Sequence, residues 1–251
     1  MINTESKKYK GLGLYALLIL MLCVHVPVLG VVAFEHSFRQ DIYPLFSLLD
    51  AYFLFQLIFN PVLLSSLVKK VVEIEEKNNM FQLQEMLGVE PSTLLMRKWS
   101  WLSLRLFILQ LVEWALILHM AVRSNHFHLS QVASTRVAVV FCSQWLIASA
   151  FVALFLILDT RSKSPYFTLF FSMGGALFGI LSMLTSRVLT FINPFAWYSS
   201  LLSISFVKGS EGFTRVINPV PWLSLAVSLA GLLICLFMIK KHTRIYRDKT
   251  I

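Results

Sequence analysis

Six long apolar stretches, parted by short polar loops, constrain this chain more than any other feature of it. They run near residues 12–34, 45–68, 99–121, 135–159, 166–185 and 220–239. A hydrocarbon core about 30 Å thick takes roughly 20 apolar residues per spanning helix, so each stretch is long enough to cross. Hydrophobic residues make up 57% of the chain and charged ones 14%, with a mean hydropathy of +0.72. No soluble core hides that much apolar surface. The predicted fold class is all-α: a polytopic membrane protein with six transmembrane helices in a single domain over residues 1–251.

Charge sets the expected orientation through the positive-inside bias. With the N-terminus inside, Lys7, Lys8, Lys10, Lys69, Lys70, Lys77, Arg97, Lys98, Arg161, Lys163, Lys240, Lys241, Arg244, Arg247 and Lys249 all fall on the inner side. The outer side receives only Arg39, Arg123, Arg136, Arg187, Lys208 and Arg215, and Arg105 is left within a span. Both termini are therefore expected in the cytoplasm. The net charge of +9 and pI near 9.6 fit membrane topology and anionic lipid better than nucleic acid, because the basic residues are divided among membrane edges. The basic start and long first stretch predict a retained helix rather than a cleaved signal. Cys23, Cys142 and Cys235 all lie within spans, which argues for packing residues and against a disulfide framework or metal site.

The most organised polar segment lies between the second and third stretches. Lys69-Lys70-Val-Val-Glu73-Ile-Glu75-Glu76-Lys77 predicts an extension of the second helix out of the membrane. Asn78-Asn79 breaks it, and Asn79 with Gln82 three residues on has the spacing of a capping box. Met80, Leu83, Met86 and Leu87 follow at helical intervals, and Gly88 suits a left-handed stop. The predicted element is a short amphipathic helix over 80–87, with Phe81 and Gln84 toward the cytoplasm and Leu83 and Met86 inward. It serves either as interfacial packing or as a docking helix for a cytoplasmic partner.

This segment, from Glu73-Ile-Glu75-Glu76-Lys77-Asn78-Asn79-Met80-Phe81 through Leu87-Gly88-Val89 to Arg97-Lys98-Trp99, resembles the loop after the second helix of ABC-2 type permeases. In particular it is similar to the permease subunits of bacterial lantibiotic self-immunity transporters. The length, the six spans and the Pro/aromatic-rich segment after the fifth fit the same plan. The turn at Gly88-Val89-Glu90-Pro91 departs from it, since many relatives place a proline one turn earlier.

The resemblance implies a transport subunit, not an enzyme, in the bacterial cytoplasmic membrane. No Gly-x-x-x-x-Gly-Lys-Ser/Thr phosphate loop occurs in the sequence. ATP and Mg would be bound by a partner ATP-binding subunit, present in two copies. That partner would couple through Glu73, Glu75, Glu76, Lys77, Asn79, Phe81, Gln84 and Gly88. A second, related permease chain would complete the complex, with membrane lipid around it. The implied cargo is an amphipathic cationic antimicrobial peptide.

Between the fifth and sixth stretches, Ser186 to Pro219 is too long for a turn. Asn193-Pro194 divides its apolar run, which predicts a re-entrant outer segment rather than a seventh span. Phe195, Trp197 and Tyr198 suit an aromatic anchor at the headgroup level or, alternatively, an outer surface for an amphipathic peptide. Within the spans, Arg105 and Asp159 stand near the inner edge, where snorkelling accounts for them, and Asp50 near the outer edge. Glu113 is deeper. Arg105 is eight residues away on the same helix, too far to pair, so Glu113 needs a partner on another helix or chain, or a proton; an inter-helix polar lock is expected, with a substrate or proton site as the alternative. Gly175-Ala-Leu-Phe-Gly179 offers a flat stripe for close packing, within the chain or at a subunit seam. His126-Phe-His128 reads as a solvated loop in preference to a metal pair.

No catalytic Ser/His/Asp set or metal-ligand cluster is evident, and no span shows a strongly polar face. An intramembrane enzyme or a channel is accordingly disfavoured. An ABC-2 exporter of another cargo, lipid or drug, stays open beside the peptide exporter.

Overall fold

A helix of 34 residues, Pro44–Lys77, is the longest element of the chain. At 1.5 Å per residue it is about 51 Å long, so it outruns a hydrocarbon core of roughly 30 Å. The structure, a computed structural model, describes residues 13–35, 38, 41, 43–77, 80–122, 134–162, 164, 166–209 and 212–241. The helices are α1 (Leu14–Phe34), α2 (Pro44–Lys77), α3 (Met80–Met86), α4 (Pro91–Ala121), α5 (Ser134–Arg161), α6 (Phe167–Thr185), α7 (Arg187–Ile192) and α8 (Trp222–Lys240). A 3-10 helix, Pro194–Leu201, and two strands, β1 (Ile204–Gly209) and β2 (Gly212–Ile217), stand between α7 and α8.

Six of these helices, α1, α2, α4, α5, α6 and α8, are long and apolar enough to cross a membrane. The chain is thus a multi-pass, predominantly helical membrane protein. Helices α2 and α4 both reach beyond the apolar stretches read from the sequence, toward the segment that joins them. Pro91 opens α4 from the first turn, where its missing N–H costs nothing. Gly88 closes the short α3 in the left-handed region, at φ 79°. The Val89 N–H then reaches back to the Gln84 carbonyl at 3.0 Å, the hydrogen bond that such a stop provides.

Burial is unevenly divided. In α5, 78% of the most apolar window is buried, against 22% in α1 and α8 and 28% in α6. Helix α5 packs on α8, α2 and α4 and is the hub of the bundle. Helix α1 buries one stripe only, Leu14, Leu18, Met21, His25 and Leu29, at the three- and four-residue intervals of a single helix face. Its other sides, such as Ile19, Val31 and Phe34, are exposed, as suits a lipid-facing surface. Prolines stand inside two spans, Pro27 in α1 and Pro61 in α2.

The 186–219 segment holds the chain's one strand pairing among the described residues. Strands β1 and β2 run antiparallel from Ile204↔Ile217 to Gly209↔Gly212. The sequence reading gave this segment as re-entrant and did not foresee the hairpin. Phe206, Val207, Val216 and Ile217 nevertheless give β-branched and aromatic density on both sides of a Gly-bounded turn.

Candidate functional site

The most concentrated polar chemistry lies inside the bundle, around Glu113. Its side chain is 3% exposed. His25 Nδ1 of α1 lies 2.7 Å from Glu113 Oε1, and the Tyr52 hydroxyl of α2 donates to Oε2. Gln144 Nε2 of α5 donates to the Tyr52 oxygen at 2.7 Å, and Trp114 Nε1 donates to Gln144 Oε1 at 2.7 Å. Asn60 Nδ2 donates to the Tyr198 hydroxyl at 2.6 Å, which joins the 3-10 helix to α2. Helices α1, α2 and α4 thus meet at one carboxylate, and α5 joins through Tyr52. A buried charge persists in hydrocarbon only with such partners.

The partner that Glu113 requires is therefore supplied by His25 and Tyr52, neither of which the sequence reading singled out. One signal was present. Tyr52, Gln56 and Asn60 recur every four residues and form a polar line along one face of α2, so the statement that no span carries a strongly polar face needs this amendment. His25 carried a second signal, as the one His, Asp, Glu, Lys or Arg of the otherwise apolar α1, a place where such side chains are rare and seldom unpaired. Arg105 is placed elsewhere, with its guanidinium 5.8 Å from the Tyr15 ring centre and 5.3 Å from that of Trp101.

Geometry at the 73–90 segment reverses part of the expected facing. Phe81 is 6% exposed, whereas Leu83, Met86 and Leu87 are 51%, 83% and 74% exposed. The reason is Lys98 of α4. Its Nζ lies 5.4 Å from the Phe81 ring centre, a cation–π distance, and 2.7 Å from Glu75 Oε1 of α2. Glu75 is itself 2% exposed, so it joins helices to each other and is not a rim charge. Glu73, Glu76 and Gln84 are part-exposed, and Gly88 is exposed. Glu73 lies 4.0 Å from Lys70 on the same helix. The Lys77 side chain and the Asn79 cap lie outside the described residues.

The aromatic trio of the 186–219 segment is also turned inward. Phe195 is 5% and Tyr198 0% exposed, and neither forms an outer surface. Phe195 packs against the rings of Phe151 and Phe171 and is seated on Gly175 and Gly179 of α6, where any Cβ would strike it. The glycine stripe is therefore the seat of the 3-10 helix. Trp197 Nε1 donates to the Phe191 carbonyl at 2.9 Å, and its ring fills the space beside Gly231 of α8.

Two charged residues hold this segment in place. Asp50 of α2 accepts from the Ser203 and Ile204 N–H groups at 2.6 and 2.8 Å. Arg136 of α5 donates to the Asn218 carbonyl at 2.6 Å. The segment also borders a cavity of about 570 Å³ lined by Met183, Arg187, Phe191, Ser200, Pro221 and Ser224 among others.

Among the described residues, no group of three or more His, Cys, Asp or Glu side chains could hold a metal ion. His126 and His128 lie outside the described residues. Asp159 accepts from the Thr168 hydroxyl at 3.2 Å, across the turn between α5 and α6. No family model, curated protein or solved structure matches this chain.

Proposed function

We propose that this chain is the permease subunit of an ATP-driven ABC exporter in a bacterial cytoplasmic membrane, with both termini cytoplasmic. Its partners are an ATP-binding subunit in two copies and a second, related permease chain. The cargo is an amphipathic cationic peptide of the lantibiotic kind, removed from the membrane for self-immunity. One observation carries this reading. The short helix α3 stands beyond the apolar spans, clamps Phe81 inward onto the Glu75–Lys98 pair, and turns Leu83, Met86 and Leu87 outward.

An apolar tip tied to α2 and α4 by these contacts suits helix-in-groove recognition by a cytoplasmic subunit. Motion of that subunit would reach both long helices through one buried ion pair. The docking face is accordingly Leu83, Met86 and Leu87 with the part-exposed Glu73, Glu76 and Gln84, while Glu75 and Phe81 are positioning residues behind it. Cargo recognition moves from the aromatic trio to the cavity beside the 186–219 segment, whose serines, prolines and Arg187 mix polar and apolar lining. The same lining would accept a lipid or drug, so that cargo class is the alternative.

The decisive experiment is co-purification of the ATP-binding subunit with Leu83→Asp/Met86→Asp permease in nanodiscs. Losing apolar anchors at the centre of an interface costs about 2 kcal/mol or more, roughly thirtyfold in affinity. Loss of the partner with normal membrane insertion supports the reading. Wild-type retention removes α3 from the docking site.

A further inference from the structure

The network around Glu113 leaves three polar atoms without a hydrogen-bond partner among the described residues, and their residues all line one small cavity. The atoms are His25 Nε2, Gln56 Oε1 and Asn60 Oδ1, on side chains only 1%, 2% and 3% exposed. The cavity has a volume of about 20 Å³ and is walled by these residues together with Glu113, Gln144 and Tyr198. About 10–15 Å³ is enough to hold one water, provided it finds two to four polar partners. The cavity has that room, and three residues with such unpartnered atoms stand in its lining.

Hydrogen counting then fixes more than hydration. The Gln56 and Asn60 oxygens can only accept, and one water has two hydrogens to give them. His25 Nε2 is the remaining atom. Were the imidazole neutral with its hydrogen on Nδ1, toward Glu113, then Nε2 would be a third acceptor beside the first two, and the His25/Glu113 pair would carry a net negative charge. No Lys or Arg lines the cavity to balance it. One added proton removes both defects. As imidazolium and carboxylate, Nδ1–H donates to Glu113. As imidazole and carboxylic acid, the Glu113 O–H donates to Nδ1. Both forms contain the same atoms, are neutral overall, leave Tyr52 donating to the second carboxyl oxygen, and put a hydrogen on Nε2. That hydrogen is then given to the water oxygen.

We propose that the cavity is a proton-and-water site in the middle of the spans. The His25–Glu113 pair holds one exchangeable proton, and one water bridges His25 Nε2, Gln56 Oε1 and Asn60 Oδ1. The titratable groups around it are His25 from α1, Tyr52 from α2, Glu113 from α4 and Tyr198 from the 3-10 helix; from α5 the facing group is the neutral amide of Gln144. The site does not depend on the transport reading.

The test is ¹⁵N solid-state NMR of the full chain in lipid nanodiscs at neutral pH. Of the six histidines, His36, His119, His126, His128 and His242 are replaced by Asn, so that His25 alone reports. The expected result is a hydrogen on Nε2, correlated with a non-bulk water, and unchanged when choline replaces sodium in the buffer. A bare Nε2 with its hydrogen on Nδ1 would overturn the proposal. So would an Nε2 hydrogen that appears only without sodium, since the site would then hold a metal cation. If the single-histidine chain does not fold, replacing His36, His119, His126, His128 and His242 one at a time assigns their signals in the otherwise wild-type chain and leaves that of His25.

Discussion

Lys98 Nζ stands 2.7 Å from Glu75 Oε1, and both side chains are 3% exposed. This pair ties α2 to α4 at the end of the bundle where α3 sits, and Phe81 covers it. Removing one member of a buried pair strands the other charge and costs about 3–5 kcal/mol. Glu75→Gln and Lys98→Met should therefore each lower the unfolding midpoint in detergent, and Glu75→Leu/Lys98→Met together should recover most of the loss. Additive losses in the double variant would show that the pair is not the tie.

The seat of the 3-10 helix gives a contrast between neighbouring glycines. A Cβ on Gly179 would stand 2.6 Å from the Phe195 carbonyl oxygen, whereas one on Gly174 meets nothing within 4 Å. Overpacking of this kind costs roughly 1–3 kcal/mol. Gly179→Ala should lower the thermal midpoint measurably, and Gly174→Ala should leave it unchanged or slightly raised. Equal effects would mean that the segment does not rest on α6.

Asp50 is the acceptor for two backbone N–H groups at the entry to β1. Hydrogen bonds to a charged group contribute about 1.5–3 kcal/mol. Asp50→Leu should loosen the hairpin first, seen as roughly ten- to hundredfold faster hydrogen exchange at Ser203 and Ile204. Exchange in α5 should stay slow. Unchanged protection at both amides would show that Asp50 does not anchor the hairpin.

Topology is tested most directly at the two ends that the structure separates. In a background lacking Cys23, Cys142 and Cys235, Thr214→Cys should react with an impermeant thiol reagent on intact cells. Met86→Cys should react only after permeabilisation. Labelling of Met86 from outside would remove the docking proposal along with the inner assignment of α3.

How much of this was legible in the sequence follows from what each residue could signal alone. Apolar length gave the six long helices, and Gly88 and Pro91 gave the stop and restart around α3. The facing of Phe81 was not legible, because the amphipathic pattern cannot distinguish a partner groove from a lysine on another helix that attracts an aromatic ring. Phe195 and Tyr198 read as interface aromatics for a similar reason: their packing partners, Gly175, Gly179 and Asn60, are 16 to 138 residues away in the sequence. The need for a Glu113 partner was readable from the cost of buried charge. His25 was readable by the same rule, as the one His, Asp, Glu, Lys or Arg of α1, but its pairing with Glu113, 88 residues on, was not.

Pro27 lies two residues beyond His25, and Pro61 directly follows Asn60. Each ring removes the amide that would hold the carbonyl one turn earlier, on Cys23 and on Leu57. The flexural weak points of α1 and α2 therefore fall at the depth of the buried polar cavity. Any bend in either helix concentrates there and carries His25 or Asn60 with it. Mechanical compliance and polar bonding are superimposed at a single level of the bundle, so a bend at either proline moves a residue that lines the cavity beside Glu113.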